Sequence, residues 1–231
     1  MRIITRNQLS NLSNRDIKWY LLDEKLWITK YYEYADVEDS IEWSIGSFNW
    51  LCEVNDTLLF NKENGRFETA IIDLSEKIVI ADIDDLFLSI KKEQKGELFL
   101  KEKKNCNFEF SSMVIYQKKW DCLVSFPTNF VNQNLEIVYI VSDFGFIIMN
   151  DQLKGWILKN ASKHICTSQT DKKVTDNNPE LLEKYLKTLN LWETNEENIE
   201  ELELLLESIK PNNDKFSLMI KECIMNIFAA M

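Results

Sequence analysis

The string Ile78-Val79-Ile80-Ala81-Asp82-Ile83-Asp84-Asp85-Leu86 sets two carboxylates two residues apart at the end of an apolar run. Paired carboxylates serve acid–base and cation chemistry, which makes this the sharpest enzyme-like string in the chain. The same residues have a structural reading. Asp82 caps a short helix, and Asp84 and Asp85 complement the positive end of its dipole. A second candidate is His164-Ile165-Cys166, an imidazole and a thiol on one strand face. Two ligands fall short of the three or four that zinc takes. Cys–His catalysis would also need an orienting partner and an oxyanion hole, and the sequence supplies neither. The spacing predicts a surface histidine beside a core cysteine.

The third candidate is a surface rather than a reaction centre. From Thr188 to Ile209 there is no Lys or Arg, whereas Glu193, Glu196, Glu197, Glu200, Glu201, Glu203 and Glu207 are present. At about 100° per residue, Ile199, Leu202, Leu205, Leu206 and Ile209 form one stripe and most of the glutamates face away from it. Leu204 falls among the glutamates. Like charges four residues apart repel, so a basic partner would relieve the repulsion and associate faster. Leu204 would then be the apolar anchor of a partner-binding face.

The apolar strand ending in Asp82-Ile83-Asp84 resembles the first motif of haloacid-dehalogenase-type phosphohydrolases. The resemblance implies Asp82 as nucleophile, Asp84 as general acid/base and both as magnesium ligands. Asp85 stands where that family has Thr or Gly, and a downstream Lys followed by a strand-terminal acidic pair is missing.

Composition bears on the choice. The chain of 231 residues has five Gly, three Pro and one His, far below the roughly 7% glycine of an average protein. Phosphate-cradling loops need glycine, and histidine is the usual proton carrier near neutral pH. Five scattered cysteines (Cys52, Cys106, Cys122, Cys166, Cys223) suit reduced thiols better than a disulfide framework. No cofactor and no metal site is expected. A net charge of −11 disfavours nucleic acid and anionic lipid as partners and favours basic proteins. The N-terminal residues lack a signal-peptide core and the apolar C-terminal run is too short to span a bilayer, so a cytoplasmic location is expected.

These groups need a scaffold. Aromatic and β-branched residues dominate runs at 26–34, 50–54, 66–74, 97–101, 113–116, 122–126, 135–141 and 144–149, which predicts strands. Turn chemistry falls between them at Asn55-Asp56, Glu63-Asn64-Gly65, Ser142-Asp143 and Asn150-Asp151. The short spacing predicts mostly antiparallel pairing, with one helix inside the body from Asp82 to Lys92. Residues 1–168 form the β-rich body, 169–178 a linker or long loop, and 179–231 an acidic helical subdomain. Within the last, Asn178-Pro179 opens one helix, Thr194-x-x-Glu197 reads as the capping box of a second, and a third starts near Asp214. Twelve acids against five bases from Asp176 onward carry seven of the eleven net negative charges.

The fold class is therefore α+β: a mostly antiparallel body followed by three helices. Size, acidity, aromatic richness and the missing catalytic set resemble bacterial polymorphic-toxin immunity proteins in general character. That resemblance implies a non-enzymatic, cytoplasmic inhibitor that covers the basic active site of a cognate toxin domain, often a nuclease. The other readings are the phosphohydrolase on Asp82 and Asp84 and a non-catalytic adaptor subunit.

Overall fold

The computed structural model describes residues 1–7, 15–31, 33–48, 56–74, 78–110, 113–126, 134–167, 177–194, 199–212 and 214–230, leaving aside the side chains of residues 85, 192–194 and 230. In chain order the strands are β1 (Ile3–Asn7), β2 (Asp16–Tyr20), β3 (Lys25–Thr29), β4 (Ser44–Ser47), β5 (Thr57–Asn61), β6 (Phe67–Asp73) and β7 (Ile78–Ile80). They continue with β8 (Ile90–Leu100), β9 (Val114–Gln117), β10 (Cys122–Ser125), β11 (Leu135–Tyr139), β12 (Phe144–Met149), β13 (Gln152–Lys159) and β14 (Ile165–Cys166). The helices are α1 (Tyr34–Ser40), α2 (Asp84–Ser89), α3 (Pro179–Thr194), α4 (Ile199–Ile209) and α5 (Lys215–Ala230). This is an α+β fold with two mostly antiparallel sheets.

One sheet runs β1-β8-β11-β12-β13-β10-β9-β7 and the other β14-β2-β3-β6-β5-β4. Among the described residues parallel pairing is confined to β8 with β11, β7 with β9, and β14 with β2. Strand β8 organises the larger sheet: Ile90–Lys95 run parallel to β11, and Gly96–Leu100 run antiparallel to β1. One core fills the space between the layers. Trp19, Leu26, Phe60, Phe67 and Ile72 from the smaller sheet share it with Leu98, Tyr116, Phe144, Phe146 and Trp156 from the larger. The rings of Phe67 and Phe146 meet edge-on across the two sheets at 5.2 Å.

Turn chemistry and caps sit where the residues require them. Asn150 and Asp151 both adopt positive φ, 51° and 58°, the geometry of the tight turn whose twist suits a hairpin, and they join β12 to β13. At the β5–β6 turn the Asn61 carboxamide oxygen accepts from the Glu63 and Asn64 N–H groups, and Gly65 takes φ 75°. Gly46 in β4 has φ 140°, and a Cβ there would collide with the Leu58 carbonyl oxygen of β5.

Three expectations change. The helix expected from Asp82 to Lys92 is the six-residue α2, and Ile90 begins β8. Tyr34, expected in a strand, begins α1, whose first turn is closed reciprocally by Glu33 and Asp36. Thr194, expected to open the next helix, is the last residue of α3, and Glu197 of that capping box lies outside the described residues. The strand at 50–54 and residues 169–176 of the expected linker lie outside the described residues.

The three C-terminal helices contribute Leu182, Tyr185, Leu202, Leu205, Phe216, Ile220 and Ile224 to the same core as the sheets. Asn178 caps α3 as expected, its side-chain oxygen accepting from Leu181 N–H at 3.0 Å. Helix α3 is fastened to the larger sheet. Asn190 donates to the Ile78 carbonyl at 2.8 Å, Tyr116 donates to the Pro179 carbonyl at 3.3 Å, and Glu183 pairs with Lys118 at 3.1 Å.

Asp56 holds a second junction. Its carboxylate is buried and accepts from Asp73 N–H at 3.0 Å and Phe110 N–H at 2.6 Å, tying the start of β5 to the end of β6 and to residues 105–110. Burial pushes this carboxyl up to about 6 from 3.8, against the pull of those two N–H donors. The folded chain therefore keeps a proton that the unfolded chain releases as pH rises from about 4 to 6. The contribution of Asp56 to stability falls across that window, by about 3 kcal/mol in total for a shift of this size. Urea unfolding at pH 4.5 and 7.5 checks it: wild type should lose stability relative to Asp56→Asn as pH rises. Parallel pH profiles would contradict the assignment.

Candidate interaction surface

Helix α4 buries Leu202, Leu205 and Ile209 against its neighbours α3 and α5. Its opposite face carries Glu200, Glu201, Glu203, Leu204 and Glu207, all exposed, with Leu204 63% accessible. The stripe that builds the core thus fixes which side chains are offered to solvent. Glu200 and Glu201 sit in the first turn, where the helix dipole favours them. Glu207 pairs with Lys210 at 2.5 Å. Among the described residues, Glu200, Glu201 and Glu203 pair with no lysine or arginine. Glu193 lies in the last turn of α3 with its side chain undescribed, and Glu196 and Glu197 lie outside the described residues.

The Asp82–Asp84 string ends the edge strand β7, parallel to β9. Asp82, expected to cap the helix, lies one residue before the cap position, which Ile83 holds; its carboxylate accepts from Asp84 N–H at 2.8 Å and from the Gln117 amide at 2.7 Å. Asp84 receives the Lys119 ammonium at 2.7 Å on one oxygen and the Trp120 indole N–H at 3.1 Å on the other. The Lys119 hydrogen bond, with that of Trp120, holds the Asp84 carboxyl below its usual range. A carboxylate already neutralised by an ammonium is poorly placed to bind a cation or deliver a proton. Among the described residues no group of three or more His, Cys, Asp or Glu side chains is arranged to hold a metal.

His164 closes a 3-10 turn, Ala161–His164, and is buried at 6% exposure, not on the surface. The reason is a partner 21 positions earlier: its Nε2 lies 3.1 Å from Asp143 Oδ2, at the β11–β12 turn. Hydrogen bonding to His164 keeps the Asp143 carboxyl below its usual range. Cys166 is fully buried, its Sγ 3.7 Å from the His164 carbonyl oxygen. Beside them, Asp121 accepts from Tyr116 OH at 3.0 Å, Ser162 N–H at 3.1 Å and Ser162 OH at 2.7 Å. Tyr116, Ser162 and Asp121 are all buried, so this network is a fastener and offers no access to substrate.

Two tryptophans, Trp43 and Trp120, are 67% and 54% exposed, whereas Trp19, Trp27 and Trp156 are buried. Trp43 stands at the end of the turn that follows α1, a helix the sequence reading missed. Its signals were present: Glu33-x-x-Asp36 as a helix start, and no Lys or Arg from Tyr31 to Asn61. No helix among the described residues is long and apolar enough to cross a membrane. No protein-family model matches the chain, and no curated protein shows significant similarity to it.

Proposed function

We propose that this chain is a protein-binding module, an immunity-type inhibitor that works in the cytoplasm and neutralises a basic toxin domain by covering its active site. The observation that carries the reading is the outer face of α4, where exposed Leu204 stands among Glu200, Glu201 and Glu203, which pair with no lysine or arginine among the described residues, on a helix fixed by its buried side. Toxin nucleases that hold phosphates have basic active sites. An acidic face with an apolar centre matches such a site in charge and steers its approach. A surface of this kind needs no cofactor and performs no chemistry. The engaged state of Asp84 favours the binding reading over the phosphohydrolase.

Co-purification from the native host tests the reading. The tagged wild-type chain should retain a basic protein at about 0.1 M salt and release it near 1 M, where the Debye length falls from about 10 Å to about 3 Å. Retention of no protein, or only of acidic ones, would overturn it.

A further inference from the structure

From Tyr31 to Asn61 the chain has seven carboxylates and no lysine or arginine. Five of them, Glu33, Asp36, Glu38, Asp39 and Glu42, are exposed on α1 and the turn after it. Among the described residues none of the five pairs with a lysine or arginine. Elsewhere lysines of the body are matched: Lys25 to Asp73, Lys30 to Glu68, Lys92 to Glu136, Lys118 to Glu183, Lys119 to Asp84 and Lys159 to Glu93. Unbalanced negative charge therefore collects here as well as on α4.

At this place the surface also presents Trp43, two-thirds exposed, and Tyr34, 44% exposed. Neither ring hangs on a loose segment. Tyr34 lies against Trp27, centroids 6.0 Å apart, and Val37 packs α1 into the cluster of Tyr20, Trp27, Leu59 and Ile71 on the smaller sheet. Ser40 and Ser44 hydroxyls donate to the carbonyls of Val37 and Ser40 at 2.7 and 2.8 Å, and Lys62 N–H donates to the Trp43 carbonyl at 2.9 Å. The backbone that carries Trp43 is thus braced before any partner arrives, which lowers the ordering cost of binding. Tryptophan is the residue type most enriched among binding hot spots. An arginine guanidinium stacks on its face better than any other common side chain, and flanking carboxylates add ion pairs to the same cation.

We propose that Trp43 and the carboxylates of α1 form a docking site for an arginine-rich segment of a protein partner. The site is distinct from α4 and rests on the reading of the chain as a binder of a basic protein. One arginine stacks on Trp43, and its neighbours face Glu38, Asp39 and Glu42. The probe is a synthetic 14-residue peptide of arginine, alanine and leucine, with a glutamate-for-arginine peptide as charge control. Hydrogen exchange should show protection at 33–43 with the arginine peptide alone. Affinity at about 0.1 M salt should drop about tenfold in Trp43→Ala and in Glu38→Lys/Asp39→Lys. Both sets of changes are at exposed positions, so the fold should be unaffected. Protection on α4 alone would overturn this site and leave the proposed function standing. Protection on neither surface would count against both. Unchanged affinity in Trp43→Ala, or Trp43-dependent self-association in sedimentation, would also overturn it.

Discussion

Replacing Asp121 by alanine should cost the protein about 4 kcal/mol of stability and lower its melting temperature by roughly 10 °C. Asp121 sits in the left-handed region at φ 44° between the 3-10 turn at 118–120 and β10. Aspartate tolerates that backbone better than alanine does. Its carboxylate accepts from Tyr116 OH and from both Ser162 donors in a region closed to water. Truncation leaves both buried Ser162 donors without an acceptor, each at a cost of about 1–3 kcal/mol before relaxation, and leaves Tyr116 OH only its longer contact to the Pro179 carbonyl. The effect reaches past the body, because the Tyr116 hydroxyl divides its one proton between Asp121 and the Pro179 carbonyl at the start of α3, so losing Asp121 disturbs how that helix is held. Asp121→Asn keeps an acceptor and the backbone preference, so it should lose less than half as much. Urea unfolding of the two variants checks this. A loss below 1 kcal/mol in Asp121→Ala would mean that the network does not fasten the helices to the body.

The second large effect concerns binding. Glu200→Lys/Leu204→Asp should weaken capture of the basic partner about a thousandfold, which is about 4 kcal/mol. Charge reversal replaces an attraction with a repulsion at close range. Aspartate at 204 also desolvates a carboxylate where an apolar anchor would be buried. Neither side chain contributes to the core, so the melting curve should stay near that of wild type, apart from a few tenths of a kcal/mol lost with Glu200 in the first turn. Titration of the purified pair reads this directly. A change below tenfold would remove α4 from the interface.

Much of the scaffold could be read because its signals are local. Runs of aromatic and β-branched residues mark β6 and β9 through β12, Asn178-Pro179 marks the start of α3, and the 3.6-residue stripe of α4 identifies its outer face. The parts that could not be read depend on distant partners. Lys91 to Lys95 have helix-forming composition, yet they join β8 because β11, more than 40 residues later, supplies the hydrogen bonds. His164 looks like a surface residue until Asp143 is brought to it. Division of the strands into two sheets is likewise a matter of long-range register. The candidate surface on α4 was visible as a helical pattern. Trp43 was hidden, because tryptophans that build cores and those that meet solvent have the same local sequence character.

Growth of cells that express the basic partner, with and without this chain, tests the central claim most directly. The account predicts that partner expression alone arrests growth, that the wild-type chain restores it, and that Glu200→Lys/Leu204→Asp at equal abundance does not. Arrest that persists with the wild-type chain present would contradict it.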